Sequence, residues 1–131
     1  MFENLTKFFT CFIVVLLFAT NASAEIKNIT AVDMQKYIKE TQNLYLLDVR
    51  TLGEYVQKRI QGAHLIPIDQ VQNRIKEIPQ DRLIIVYCET GMRSKQVANY
   101  LDSLGYKGVF NLSQGIMGWQ VRGYPVESGM P

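Results

Sequence analysis

One cysteine of this sequence occupies a position that suits nucleophilic chemistry. Cys88 directly follows the apolar run Leu83–Tyr87 and precedes a helical pattern that begins near Ser94. The amides of a tight turn and the start of a helix together favour the thiolate, which is the form of a thiol that attacks. Within the turn, glycine permits positive φ and arginine supplies a fixed positive charge. We therefore expect a reactive Cys88 held by the anion-binding turn Glu89, Thr90, Gly91, Met92 and Arg93.

The other cysteine lies in a different kind of segment. Cys11 falls in an N-terminal stretch that we expect to be removed, which leaves Cys88 as the single cysteine of the mature chain. A single cysteine cannot form an internal disulfide, so a dithiol redox mechanism within one chain is excluded. The alternative is a buried structural thiol. The glycine-containing turn into a helix favours the catalytic interpretation.

The first 24 residues have the composition of a secretory signal peptide. The apolar run Phe8–Ala19 carries no charge and is shorter than the roughly 20 residues that cross a bilayer. Ala22-Ser23-Ala24 fits the small-residue site of signal peptidase. We expect cleavage after Ala24 and a periplasmic or secreted domain over residues 25–131. Because Glu3 offsets the charge of Lys7, an uncleaved anchor or a buried first helix remains the alternative.

Composition indicates an ordinary globular protein. The 131 residues suit one domain, with 47% hydrophobic and 20% charged residues. The net charge is only +2 and the basic residues are scattered, so we expect no nucleic-acid partner. We also expect a monomer that leaves the membrane after signal cleavage.

The pattern along the rest of the chain alternates between strands and helices. Apolar runs predict five strands, near residues 25–29, 44–49, 63–66, 83–87 and 109–112. Helical spacing predicts a helix after the N-cap Thr30, a short helix over 51–55, a helix through Val71, Ile75 and Ile78, a helix over 94–104 capped by Ser94, and a turn over 115–121. Strands separated by helices predict a three-layer α/β domain with a central, mainly parallel five-stranded sheet. Cys88 then lies at the carboxyl end of a central strand, where ligands bind such sheets.

The turn itself resembles a known active-site loop. Cys88-Glu89-Thr90-Gly91-Met92-Arg93-Ser94 is similar to the Cys-x-x-Gly-x-Arg-Ser loop of rhodanese domains. Further segments resemble the family in its own order: Asp48-Val49-Arg50 with Glu54-Tyr55, Gly62-Ala63-His64-Leu65-Ile66-Pro67, Gly115 to Trp119, and Gly123-Tyr124-Pro125-Val126. One departure is Lys58-Arg59, where the family often has Gly-His. We expect this departure to change the rim of the site and not its chemistry.

The resemblance implies a sulfurtransferase with no cofactor. Cys88 would accept a sulfane sulfur from a donor such as thiosulfate, become a persulfide, and pass the sulfur to cyanide or a thiol. Amides of the loop would hold the persulfide, and Arg93 would help to neutralise the donor. The carboxylate of Glu89 opposes a dianionic donor, so either its side chain points to solvent or the natural donor is not a dianion.

Several other residues have simpler interpretations. His64 is expected to be a polar residue on a strand or turn, and Trp119 to be part of the core. Arg50 is expected to form a structural ion pair with Glu54. One histidine and one mature cysteine cannot build a zinc site, so we expect no metal.

The sequence is also compatible with two other functions. Phosphatases and arsenate reductases of related fold also use a cysteine and an arginine, but with a Cys-x5-Arg loop where this chain has Cys-x4-Arg between Cys88 and Arg93. The shorter loop suits transfer of a single sulfur atom. The second alternative is a persulfide carrier or relay module whose sulfur passes to a protein partner.

Overall fold

A computed structural model describes residues 26–131 of the chain. The predicted signal peptide and Cys11 lie outside these residues. The strands are β1 (Lys27–Ile29), β2 (Tyr45–Asp48), β3 (Arg59–Ile60), β4 (His64–Leu65), β5 (Ile84–Tyr87), β6 (Val109–Leu112) and β7 (Val126–Glu127). The α-helices are α1 (Ala31–Glu40), α2 (Leu52–Gln57), α3 (Met92–Ser103) and α4 (Gly115–Val121).

Five of the strands form one parallel sheet. Their order is β1-β6-β5-β2-β4, and each neighbouring pair is parallel. Such pairing needs a crossover between successive strands, which the helices supply. The predicted α/β class, the five-stranded sheet and its parallel pairing are confirmed. β5 lies at the centre of the sheet, so the chain that leaves its carboxyl end emerges in the middle of the domain.

The core has two parts because side chains of β5 alternate between the sheet faces. Ile84, Val86 and Cys88 pack on one face with Val97 and Leu101 of α3. The other face covers a second cluster, which includes Ile85, Tyr87, Met34, Ile116 and Trp119. Helices α1 and α4 therefore contribute to one outer layer and α3 to the other. This arrangement is the predicted three-layer domain.

The helix predicted through Val71, Ile75 and Ile78 is wrong. Two short 3-10 turns, Ile68–Gln70 and Ile75–Glu77, occupy this segment. Pro67 and Pro79 bound the segment, and several of its amides bond to carbonyls three residues earlier, as Gln70 does to Pro67 and Ile78 to Ile75. Val71 and Ile78 are nevertheless buried, so the apolar spacing reflected core positions and not α-helical hydrogen bonding.

A two-stranded antiparallel ribbon pairs residues near the end of the chain with residues that follow α2. The sequence did not predict this ribbon. β3 pairs with β7, and these strands are too short to be detected by alternation. Arg59 is largely buried here, where its guanidinium lies 4.5 Å from the ring centre of Tyr55 and its Nη1 donates to the carbonyl of Gly129 at 2.7 Å. This residue of the Lys58-Arg59 departure therefore has a structural role. Within residues 26–131, none of the helices has the length and apolar character of a membrane span.

Candidate active site

The sulfur of Cys88 lies inside a turn of hydrogen-bond donors. Its Sγ accepts from the backbone amide of Gly91 at 3.2 Å and from that of Ser94 at 3.4 Å. The hydroxyl of Ser94 lies 3.4 Å from the same sulfur. Cys88 is 1% exposed, so the surrounding protein restricts the access of reagents to the sulfur.

These donors change the acidity of the thiol. Burial acts to raise the pKa of Cys88, but hydrogen bonds from the Ser94 side chain and from the amides of Ser94, Gly91 and Thr90 outweigh it. The net result is a pKa of Cys88 below its ordinary value. The hydrogen bonds therefore favour the thiolate, which is the form of a thiol that acts as a nucleophile.

The conformation of Gly91 brings the turn and the helix together. Gly91 is the N-cap of α3 in a left-handed conformation with φ of 99°. The helix therefore starts at Met92, two residues earlier than predicted, and the expectation that Ser94 caps it is wrong. Ser94 lies within the first turn of α3 and is buried, which directs its amide and hydroxyl at the sulfur instead.

A second segment holds the outer side of the turn. The amide of Ile116 donates to the carbonyl of Cys88 at 2.9 Å, and the amide of Met117 donates to that of Glu89 at 3.2 Å. Asn111 of β6 donates from Nδ2 to the carbonyl of Gly91 at 3.3 Å. Since these carbonyls are bonded on the outside, the turn keeps its amides directed inward at the sulfur.

Close packing of the two segments depends on glycine. A Cβ on Gly115 would overlap the carbonyl oxygen of Glu89, and a Cβ on Gly91 would overlap that of Ser113. Gly115 also has a positive φ of 59°. The backbones of the turn and of the residues before α4 can therefore approach each other only because neither glycine has a side chain.

Arg50 is a buried cation at the carboxyl end of β2. It is 1% exposed, and its Nη2 donates to Asp48 Oδ2 and to the carbonyl of Lys58, each at 2.7 Å. Its Nε donates to Asp48 as well. Its remaining nitrogen, Nη1, donates to Glu89 Oε2 at 3.3 Å. Although burial opposes it, the hydrogen bonds with Asp48 raise the pKa of Arg50, so the guanidinium stays charged.

Arg93 is engaged by Glu54, and this corrects the expected pairing of Arg50 with Glu54. Nη1 and Nη2 of Arg93 donate to Oε1 and Oε2 of Glu54, both at 2.8 Å. Glu54 also accepts from the amide of Thr51 in a capping box at the start of α2. The true partners of Arg50 are Asp48 and Glu89. The positive charge of Arg93 lies at the loop as predicted, but a carboxylate already balances it.

The remaining polar candidates do not join this site. His64 is exposed on β4, with its ring stacked on that of Tyr45 at 4.4 Å between centres. Trp119 is buried and donates to the carbonyl of Pro125, as expected of a core residue. Among residues 26–131, no three histidine, cysteine or acidic side chains are grouped in a way that could hold a metal ion.

The sequence and fold match a known family. The family model for the rhodanese-like domain matches residues 30–122, which include Cys88, the whole turn and every strand of the five-stranded sheet except β1. The chain belongs to the rhodanese-like domain family. The matched region contains both the Cys88 turn and the residues at the start of α4 that bond to its outer side.

Similar proteins and a solved structure agree with this rhodanese-like assignment. The chain is 35% identical over 101 residues to a sulfurtransferase of Allochromatium vinosum, covering 77% of this chain and 94% of that protein. It is 33% identical over 89 residues to a thiosulfate sulfurtransferase of Actinobacillus succinogenes, and the alignment covers 68% of this chain and 80% of that protein. The crystal structure of a rhodanese-related protein of Thermoplasma volcanium is similar, with a TM-score of 0.71 and 31% identity. The match covers 77% of this chain and 97% of that chain.

Several contributors to the site were not identified from the sequence. They are the donors of Ser94 to the sulfur, the amides of Ile116 and Met117, and the Asn111 side chain. The capping-box pattern Thr51-x-x-Glu54 was visible in the sequence, although its second function with Arg93 was not. Asn111 gave no such signal, because nothing local to β6 indicates that its side chain reaches the turn.

Proposed function

We propose that this rhodanese-like protein transfers a sulfane sulfur through a persulfide on Cys88, with thiosulfate-to-cyanide transfer as the reaction by which it is assayed. The observation that supports the proposal most directly is the hydrogen-bonded Sγ, held by the amides of Gly91 and Ser94. The family membership makes sulfur transfer the chemistry to expect of that thiolate. The description of the Actinobacillus succinogenes relative as a thiosulfate sulfurtransferase suggests the donor.

In the first step, the Cys88 thiolate attacks the outer sulfur of thiosulfate. A bond forms between Sγ and that sulfur, the sulfur–sulfur bond of thiosulfate breaks, and its electron pair leaves with sulfite. The new terminal sulfur carries the negative charge. The inward amides of the turn stabilise this charge in the same way as they stabilise the thiolate.

In the second step, the acceptor attacks the outer sulfur of the persulfide. With cyanide, a carbon–sulfur bond forms, the sulfur–sulfur bond breaks, and its electron pair returns to Sγ as thiocyanate leaves. A thiol acceptor reacts in the same manner and leaves as a persulfide. The resting thiolate is regenerated, and neither step needs a metal ligand or a histidine base from the chain.

A persulfide relay to a protein partner is the second candidate function. It is favoured by two exposed methionines beside the turn, Met92 at 70% and Met117 at 50% exposure. Met92 follows Gly91 directly, and the amide of Met117 bonds to the carbonyl of Glu89, so both lie at the edge of the active-site loop. Flexible apolar side chains of this kind suit contact with a protein surface. In that case small donors would load Cys88 stably but turn over slowly.

The phosphatase or arsenate reductase alternative has less support. An oxyanion site needs a guanidinium free to bind the oxyanion, whereas both terminal nitrogens of Arg93 are bonded to Glu54. The Cys-x4-Arg spacing and the sulfurtransferase relatives also favour sulfur transfer.

We further propose that the protein acts in the periplasm or outside the cell, after removal of residues 1–24. The support is the apolar run Phe8–Ala19 followed by Ala22-Ser23-Ala24. N-terminal sequencing of protein recovered from a periplasmic extract tests this proposal. A first residue of Glu25 is expected, and an intact Met1 in a membrane fraction would contradict it.

The decisive experiment for the chemistry is an intact-mass measurement. Purified protein is incubated with thiosulfate and then with cyanide. We expect a gain of one sulfur atom, mapped to Cys88, and its removal by cyanide as thiocyanate appears. Cys88→Ser is expected to keep the fold and gain no sulfur. Normal transfer by that variant would contradict the proposal.

A further inference from the structure

Each of the three nitrogens of Arg50 donates a hydrogen bond, and one of them bonds to Glu89, the residue after the nucleophile. Two of its three nitrogens, Nε and Nη2, bond to Asp48, and Nη2 also bonds to the carbonyl of Lys58. Nη1 bonds to Glu89, whose side chain is 40% exposed. Glu89 therefore covers the one nitrogen of this buried guanidinium that is not held by the end of β2 or by Lys58.

The same residue borders a polar cavity beside the active-site loop. The cavity has a volume of about 260 Å³ and is lined by Arg50, Glu54, Gln57, Lys58 and Glu89. Gln57 is neutral, and the ε-amino group of Lys58 bonds to Gln120 Oε1 at 3.2 Å. A donor that enters this cavity meets the carboxylate of Glu89, the residue that follows Cys88 in the chain.

The charges around the mouth are balanced before a substrate arrives. The cations Arg50, Arg93 and Lys58 face the carboxylates Asp48, Glu54 and Glu89. The thiolate of Cys88 adds one further negative charge. A dianion thus approaches a group of charges with no positive surplus, and because Coulomb repulsion scales with charge, it is repelled more strongly than a donor with one negative charge.

We propose that Glu89 is a specificity-determining residue that makes the site prefer sulfane donors with one negative charge, the class of organic thiosulfonates and hydropersulfides, over the thiosulfate dianion. The inference rests on the proposed sulfur transfer through Cys88 and adds the class of donor. Glu89 acts in two ways: its charge repels a dianion, and its carboxylate occupies Nη1 of Arg50, which a dianion would otherwise use.

Sulfur transfer from a thiosulfonate to Cys88 needs no reactant other than the donor and the thiolate. The Cys88 thiolate attacks the sulfane sulfur of methanethiosulfonate, and a bond forms between Sγ and that sulfur. The sulfur–sulfur bond breaks, and its electron pair leaves with methanesulfinate. With a hydropersulfide the attack is the same, and the leaving group is the parent thiolate. In each case the product on the protein is the Cys88 persulfide.

A matched pair of donors tests the inference. Thiosulfate and methanethiosulfonate both present one sulfane sulfur, but a methyl group in the second replaces a charged oxygen of the first. kcat/KM is measured for both donors, with cyanide as acceptor, in the wild-type protein and in Glu89→Gln. The hydropersulfide of 2-mercaptoethanol provides a third donor, which tests whether the preference extends from thiosulfonates to persulfides.

We expect Glu89→Gln to raise kcat/KM for thiosulfate roughly tenfold while changing that for the singly charged donors about threefold or less. Added salt should raise kcat/KM of the wild type for thiosulfate, because it screens the repulsion, and should affect the variant less. The control is Glu40→Gln, at the exposed carboxyl end of α1 and thus at the opposite edge of the sheet from Cys88. Its donor preference should equal that of the wild type.

The ratio of kcat/KM between donors tests the role of Glu89, whereas sulfur loading of the wild type tests the proposed sulfur transfer. A change in Cys88 acidity would alter all donors together, so equal effects of Glu89→Gln on each donor, or no effect on any, would overturn the role of Glu89. Failure of every donor to add sulfur to Cys88 of the wild type would instead overturn the proposed sulfur transfer.

Discussion

Glu54 and Arg93 are 39 positions apart in the chain, yet they form a bidentate ion pair with both oxygen–nitrogen distances at 2.8 Å. Glu54 belongs to the first turn of α2 and Arg93 to the first turn of α3. The pair therefore fixes the starts of two helices against each other at the mouth of the active site. It also holds the pKa of the Glu54 carboxylate below its ordinary value.

Removal of this ion pair should cost stability in a pH-dependent way. The hydrogen bonds from Arg93 lower the pKa of Glu54 from 4.5 to about 2. A lowered carboxylate pKa stabilises the fold above pH 4.5, and that stability is lost as the pH falls toward 2. We expect Glu54→Gln to be less stable than the wild type by about 1 kcal/mol at pH 7. Urea unfolding at pH 7 and at pH 3 should show this gap shrinking; an equal gap at both pH values would contradict it.

Ser94 should control the acidity of the nucleophile. Since its side chain helps to lower the pKa of Cys88, Ser94→Ala should raise that pKa and slow alkylation of Cys88 by iodoacetamide at neutral pH by roughly fivefold. Ser103→Ala is the matched control, because the hydroxyl of Ser103 bonds to the carbonyl of Tyr100 at the far end of the same helix. Superimposable pH profiles for the Ser94 variant and the wild type would refute this role.

Gly115 should be required for the shape of the loop. A Cβ at this position overlaps the carbonyl of Glu89, so Gly115→Ala should destabilise the fold by about 2–3 kcal/mol and prevent sulfur loading of Cys88. Gly123→Ala isolates the steric effect, since Gly123 also has a positive φ, 75°, but a Cβ there meets nothing within 4 Å. Thermal unfolding and intact mass provide the comparison. Similar losses in both variants would mean that backbone conformation, and not the close approach, is responsible.

Asp48 should matter more for stability than any surface carboxylate. It is fully buried and holds the buried guanidinium of Arg50 at 2.7 Å. Asp48→Asn leaves that charge short of its main partner, at a cost of about 3–5 kcal/mol in the free energy of unfolding. Glu127→Gln, in the more exposed pair with Arg59 at 3.7 Å, should cost less than about 1 kcal/mol. Equal losses in urea unfolding would contradict this distinction.

The sequence predicts the sheet well because its strands are short apolar runs between helices. Ile84 to Tyr87 is buried on both faces, and such runs are recognisable without knowledge of the fold. The segment between Pro67 and Pro79 was harder, because buried positions at helical spacing also suit 3-10 turns. Apolar spacing reports which side chains face the core, but it does not report which backbone hydrogen bonds form.

The sequence predicted those parts of the site whose residues are contiguous, but not the contacts between residues that are far apart in the chain. Cys88 and its turn are contiguous, so their types and order suffice to indicate the chemistry. The partners of Arg50 and Arg93 could not be assigned in the same way, because each arginine bonds to a glutamate 39 positions away in the chain. Only the relative position of β2, α2 and the turn decides between these pairings.

The protein partners of the Cys88 sulfur come from Gly91 and Ser94, whereas the charges that face an incoming donor come largely from the stretch between Asp48 and Lys58. Glu89, the proposed specificity residue, joins the turn to that stretch, because it follows the nucleophile in the chain and bonds to Arg50. Substitutions between Asp48 and Lys58 can change the charge that a donor meets while the residues that bond to Sγ stay the same. Related proteins can therefore differ in donor preference and still form the same thiolate.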